Sequence, residues 1–314
     1  MINLKKIKKT TPKLAKISKK NIIIVLQLIF IAFLLGIVLD KINFSKNQNP
    51  SSTIQTVQKT NQNLEKIQGE VVKEKYVFNI KWGDLGKNMV RDGVLDKQKL
   101  AKAITGTDKL PQDLDKYLIS SQNSIELTQQ NAQFWVDVLW GLGLANRNPI
   151  LDSGPMVEGG NTANFASTGG YTIGVNKPMD IYSKYKYINL SDFQQKNVYE
   201  IASNIYRPCC GNSTAFPDCN HGMAALGLIE LMVSQNFSKD DIYKTVLAFN
   251  TYWFPQTYLD AAYYFQENGR DYSKVPPKEL LSQTFSSAMG YQVIHKKVGD
   301  LKWPALQNGG SCGA

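Results

Sequence analysis

Cysteine is scarce in this chain, with four residues in 314, at positions 209, 210, 219 and 312. Four is too few to staple a domain of this size, so the fold must rest on an apolar core. The glycine-rich stretch 153–174, with six glycines in 22 residues, contains neither a dinucleotide fingerprint nor a P-loop lysine. Nucleotide binding by those devices is excluded, and the stretch reads as a long ordered surface loop or a binding loop. No C-x-x-C pair is present, which sets aside the thioredoxin motif and the paired zinc knuckle. No internal repeat is visible.

Acidic residues are missing from the first 20 positions, which hold eight lysines: Lys5, Lys6, Lys8, Lys9, Lys13, Lys16, Lys19 and Lys20. Those eight account for most of the formal charge of +10, since the other 28 Lys and Arg face 26 Asp and Glu. A nucleic-acid binder carries its basic excess on the folded domain, where it displaces counterions from phosphates. Here the excess sits on a tail, so no nucleic-acid partner is expected.

The tail precedes an 18-residue run at 22–39, IIIVLQLIFIAFLLGIVL, whose one strongly polar residue is Gln27. As a helix it spans about 27 Å, close to the hydrocarbon thickness of a bilayer. No small-x-small cleavage site follows it, and no cysteine lies near enough for a lipid anchor. The run is therefore expected to be a retained signal-anchor helix. The flanking lysines keep residues 1–20 in the cytoplasm and send the remainder across the membrane. Lys, Asn and Ile richness makes a bacterial plasma membrane the default compartment.

Four segments follow from this reading: a basic cytoplasmic tail (1–20), a transmembrane helix (21–40), a polar stalk (41–70) and an extracytoplasmic domain (71–314). The stalk is rich in Asn, Gln, Ser, Thr and Lys, with only a weak apolar stripe at Ile54, Val57, Leu64, Ile67 and Val71. The domain is expected to be mainly α with a minor β element. Tyr76 to Ile80 is the best strand. A stripe of Phe134, Trp135, Val138, Leu139 and Leu142 marks a core-facing helix over 129–145. Ser191 and Gln194 form a capping box for a helix running to about Tyr206. Residues 221–234 are apolar all round but too short to span a membrane, and read as a buried central helix. Ser238 opens a helix that Pro255 kinks or splits, and Pro276-Pro277 introduces another over 279–294.

The chemistry concentrates in RPCCGNSTAFPDCNHGM. Pro208 ends one helix, and Cys219 and His221 begin the next, so Cys209, Cys210, Cys219 and His221 flank one loop between two helices. Soft thiolates with an imidazole suit Cu(I) or Zn(II), and a helix N-terminus favours the thiolate of Cys219. Adjacent cysteines in an extended chain point opposite ways, which opposes Cys209 and Cys210 sharing one ion. Cys312 is a possible auxiliary thiol. The same cysteines would also serve a thiol–disulfide oxidoreductase, or simply staple a non-catalytic interaction domain. No catalytic residue is assigned, and no protein partner or substrate is legible.

Two further residues draw attention. Glu230 is the sole charge in the central helix and faces away from the cysteines, as a buried structural ion pair would. His295 precedes Lys296 and Lys297 and reads as a solvated residue at a helix C-terminus.

The anchor has a direct consequence. In intact spheroplasts, external protease should digest the domain while a tag at residue 1 stays protected. A protected domain, or a mature protein lacking residues 1–40, would overturn the topology.

Overall fold

The computed structural model describes residues 50–307, with side chains from 61 onward apart from 305 and 307. The basic tail, the apolar run 22–39 and Cys312 lie outside the described residues. No helix among the described residues is long and apolar enough to cross a membrane.

The domain is mainly helical with one two-stranded sheet. Its principal helices are α1 (Pro50–Val71), α2 (Leu85–Arg91), α3 (Lys97–Thr105), α4 (Gln112–Ile119), α5 (Ala132–Ala145), α6 (Asp192–Ser203), α7 (Asn220–Ser234), α8 (Lys239–Trp253), α9 (Pro255–Glu267) and α10 (Ala288–Val298). The sheet pairs β1 (Lys75–Phe78) antiparallel with β2 (Ile125–Thr128), Tyr76 opposite Leu127 and Phe78 opposite Ile125. The expected strand is β1. Its partner is only four residues long and carries too little pattern to be read locally.

At the centre α5 lies along α7. Both are buried almost all round: every residue of α5 but Gln133, and α7 from His221 to Val233. The helices meet through glycine. A Cβ on Gly143 would collide with the Met223 carbonyl oxygen, and one on Gly227 would lie 2.7 Å from the Leu139 carbonyl oxygen. The two backbones touch there, which only residues without a side chain permit.

Local signals position the surrounding helices. The Ser191 hydroxyl accepts from Gln194 N–H while the Gln194 side chain accepts from Ser191 N–H, so the capping box is complete. The helix ends at Ser203, three residues short of expectation. Ser238 caps α8 through Asp241 N–H, and Pro255 splits α8 from α9. The single helix expected after Pro277 is instead three pieces: turns at Pro277–Leu280 and Gln283–Ser286, then α10. The Ser287 hydroxyl accepts from Gly290 N–H and starts a new helix there.

A compact unit begins at Gln62, within α1. Leu64, Ile67 and Val71, the end of the weak stripe, are buried with Tyr258, Leu259, Ala262 and Trp303. Their partners come from the C-terminal third, so no local signal reveals them. Two expectations change. Glu230, fully buried, has no cationic partner among the described residues; its carboxylate accepts from the side-chain amides of Asn146, at 3.0 Å, and Asn148. The carbonyl ends of those amides accept from Ile188 N–H and Ile150 N–H, which fixes both N–H₂ groups toward the carboxylate. Burial nevertheless pushes Glu230 up to about 8, with the two amides opposing. His295 is not simply solvated, for its Nδ1 lies 2.7 Å from the buried carboxylate of Asp260, which also accepts from the Trp303 indole. That pair ties α10 and the C-terminal segment to α9.

The helix crossing is testable. Gly143→Ala should destabilise the domain by about 3 kcal/mol, because a backbone carbonyl must move to admit the methyl group. Denaturant unfolding checks this, and a change below about 0.5 kcal/mol would show that the crossing has slack.

Candidate functional site

The loop between α6 and α7 closes on itself before it presents any cysteine. Thr214 N–H donates to the Ile205 carbonyl at 2.8 Å, and Tyr206 N–H to Leu281 at 2.8 Å. Cys210 N–H donates back to the Arg207 carbonyl, so Pro208 and Cys209 lie in a turn. The extended geometry that would separate adjacent side chains does not apply. The sulfurs of Cys209, Cys210 and Cys219 all lie within 4.8 Å of one another. Cys209 Sγ and Cys219 Sγ are 3.2 Å apart, and all three are free thiols.

Cys219 is the N-cap of α7, its Sγ accepting from Gly222 N–H at 3.3 Å. The neighbouring Asp218 and Asn220 side chains are used otherwise. Asn220 accepts from His221 N–H through its own side chain, and Asp218 holds Arg207.

Arg207 is the centre of the arrangement, 1% exposed, with all three guanidinium nitrogens donating hydrogen bonds. Nε donates to Cys219 Sγ at 3.1 Å, Nη1 to the Asn212 carbonyl at 2.9 Å, and Nη2 to the Phe216 carbonyl at 3.0 Å and Asp218 Oδ1 at 2.6 Å. Asn212 Nδ2 binds the second carboxylate oxygen of Asp218 at 2.8 Å. The guanidinium lies against the first turn of α7 at Gly222, where a Cβ would occupy its place. A buried cation of this kind requires anions beside it. Burial opposes the Arg207 charge, but the neighbouring thiolates, Cys219 foremost, outweigh it and raise its pKa.

Protons within the triad are divided by the same geometry. Hydrogen bonds from Cys209 and Cys210, with Arg207 beside it, hold the Cys219 thiol well below its ordinary range against the opposing effect of burial. Cys209 is raised, chiefly by its hydrogen bonds to the other two thiols. The sulfur at the helix N-terminus is therefore the one of the three that gives up its proton most readily.

His221 stands outside the convergent group of three. Its ring packs against Trp253 and Phe254, with centroids 5.5 Å and 4.5 Å away. It is 2% exposed, and neither ring nitrogen has a hydrogen-bond partner among the described residues. Burial pushes its pKa down to about 4, so the ring is a neutral imidazole.

The glycine-rich stretch supports the loop from the side. Ser167 N–H donates to the Asp218 carbonyl at 3.1 Å, and Phe165 packs edge-on against Phe216. Ser167 and Thr168 are fully buried, and Trp140 of α5 donates to the Ser167 carbonyl. On the other side Ala288 N–H, opening α10, donates to the Cys210 carbonyl at 2.9 Å.

The cysteine cluster could hold a metal ion. The sequence pattern singles out the three sulfurs but not Arg207 or Asp218, which hold them in place. A signal was present: these are the only two charged residues between Glu200 and Glu230. No family model matches the chain, and no curated protein or solved structure matches it.

Arg207→Met should destabilise the domain by about 3 kcal/mol, because Asp218 loses its buried partner. It should also raise the thiol pKa of Cys219, read from thiolate absorbance against pH. An unchanged thiolate titration would mean that Arg207 does not govern the charge of the cluster.

Proposed function

We propose that this is a membrane-anchored extracytoplasmic protein whose domain binds one soft metal ion, Zn(II) or Cu(I), at Cys209, Cys210 and Cys219. The observation that carries the proposal is the convergence of three sulfurs within 4.8 Å on a loop braced from three sides. Thiolates select soft ions over Mg(II) and Ca(II), which prefer oxygen. The charge of Arg207 is balanced by Asp218, so three bound thiolates leave an excess negative charge that a divalent ion offsets best. Zn(II) is favoured on that ground.

His221 is the fourth ligand in this reading. Its support is an imidazole two residues from Cys219 that is neutral, as a metal ligand must be, and has a ring nitrogen without a partner among the described residues. It would need to turn away from Phe254 to reach the ion. The anchor at residues 22–39 holds the domain at the outer face of the plasma membrane, the topology that Lys5 to Lys20 favour.

Elemental analysis of the reduced full chain in detergent should find about one zinc or copper per molecule. Cys219→Ser should lower the affinity on the order of 100-fold or more, and His221→Ala by less if water replaces the ring. Binding should weaken as pH falls, because protons compete for the sulfurs. A reduced chain that binds neither ion would refute the proposal.

A further inference from the structure

We propose that Cys209 and Cys219 form a reversible disulfide, with Cys210 left as a free thiol, and that this disulfide closes the metal site. The pair and its surroundings carry the inference. Cys209 Sγ lies 3.2 Å from Cys219 Sγ, so the sulfurs need approach by only about 1 Å to reach bonding distance. Cys210 Sγ is turned toward the Asn212 carbonyl oxygen, 3.8 Å away. Cys210 lies within 4.8 Å of both other sulfurs, but the 3.2 Å approach is that of Cys209 to Cys219, and it singles out this pair.

The surroundings of the pair suit both states. Arg207 Nε and Gly222 N–H donate to the Cys219 sulfur, while Asp218 lies 2.6 Å from the guanidinium and keeps it partnered whether or not that sulfur is oxidised. Metal and disulfide exclude each other because they use the same sulfur.

The oxidant assigned is a hydroperoxide, which takes two electrons. The Cys219 thiolate attacks a peroxide oxygen, the O–O bond breaks, and the departing hydroxide takes a proton to leave as water. The sulfenic acid on Cys219 is then attacked by the Cys209 sulfur. The S–S bond forms, the S–O bond breaks, and a second water leaves with the Cys209 proton. Two thiol sulfurs have lost two electrons, and one peroxide has become two waters. An external dithiol reverses the step by thiol–disulfide exchange. Closure of the metal site, as distinct from the disulfide itself, rests on the soft-metal reading above.

The test uses the full chain in detergent, reduced, stripped of metal by a chelator and treated with one equivalent of hydrogen peroxide. Peptide mapping of the wild-type chain should show a Cys209–Cys219 linkage and an alkylatable Cys210. Cys210→Ser should give the same linkage. A linkage between Cys209 and Cys210, or cysteines that over-oxidise without any linkage, would overturn the pairing. Zinc should bind the reduced chain and bind the oxidised chain at least tenfold more weakly, with reduction restoring it. Equal zinc affinity in both states overturns the closure. A reduced chain that forms the linkage but never binds zinc refutes the metal reading and the closure together, while the mapped disulfide stands as the only chemistry of the triad.

Discussion

Two helix backbones in contact at Gly143 and Gly227 set the position of everything else in this domain. With no side chain between them, α5 and α7 pack face to face, and each is buried on nearly all sides by the remaining helices. The start of α7 is thereby a fixed point. Cys219 caps that start, so its sulfur inherits the rigidity of the central pair, and the loop that carries Cys209 and Cys210 folds back against it. A cysteine cluster on an exposed hairpin would have no such reference.

Arg207 turns this placement into chemistry. A guanidinium with almost no exposure needs hydrogen-bond partners, and here its three nitrogens donate to two carbonyls, a carboxylate and a sulfur. The arginine thus braces the loop and biases Cys219 toward thiolate with one set of contacts. Removing the arginine would both loosen the loop and change the charge of the cluster, which links stability to reactivity at this site.

Buried polar groups elsewhere follow the same rule with different partners. Glu230 lies deep in α7 between two asparagine amides whose orientation the backbone dictates, and it needs no cation. Asp260 gathers donors from Trp303, Gln256 and His295, and so ties the C-terminal segment to α9. His221 departs from that rule, an imidazole placed among aromatic rings with both nitrogens unpartnered among the described residues. Such a group costs stability where it lies, which makes it the residue whose environment a bound ion would change most.

Local chemistry in the chain was enough for much of the architecture. Apolar periodicity identified α5, uninterrupted apolar character identified α7 as central, and Ser191, Ser238 and Pro255 marked helix ends, because caps and proline act within one turn of their own position. The cysteines were also visible as a group, since their spacing across a helix–loop–helix allows them to meet. Whether they do meet was decided by the turn at Pro208 and by hydrogen bonds to the Leu281 carbonyl and from Ala288 N–H, residues about 80 positions away in the chain. The same holds for β2, for the buried end of the weak stripe, and for the partners of Glu230 and His295. Each depends on contacts between residues far apart in sequence, and a local pattern carries no information about which distant surface will cover it. The sequence by itself therefore determined the elements and the candidate ligands of this protein. Tertiary packing decided which sulfurs converge, which one gives up its proton most readily, and what holds them there.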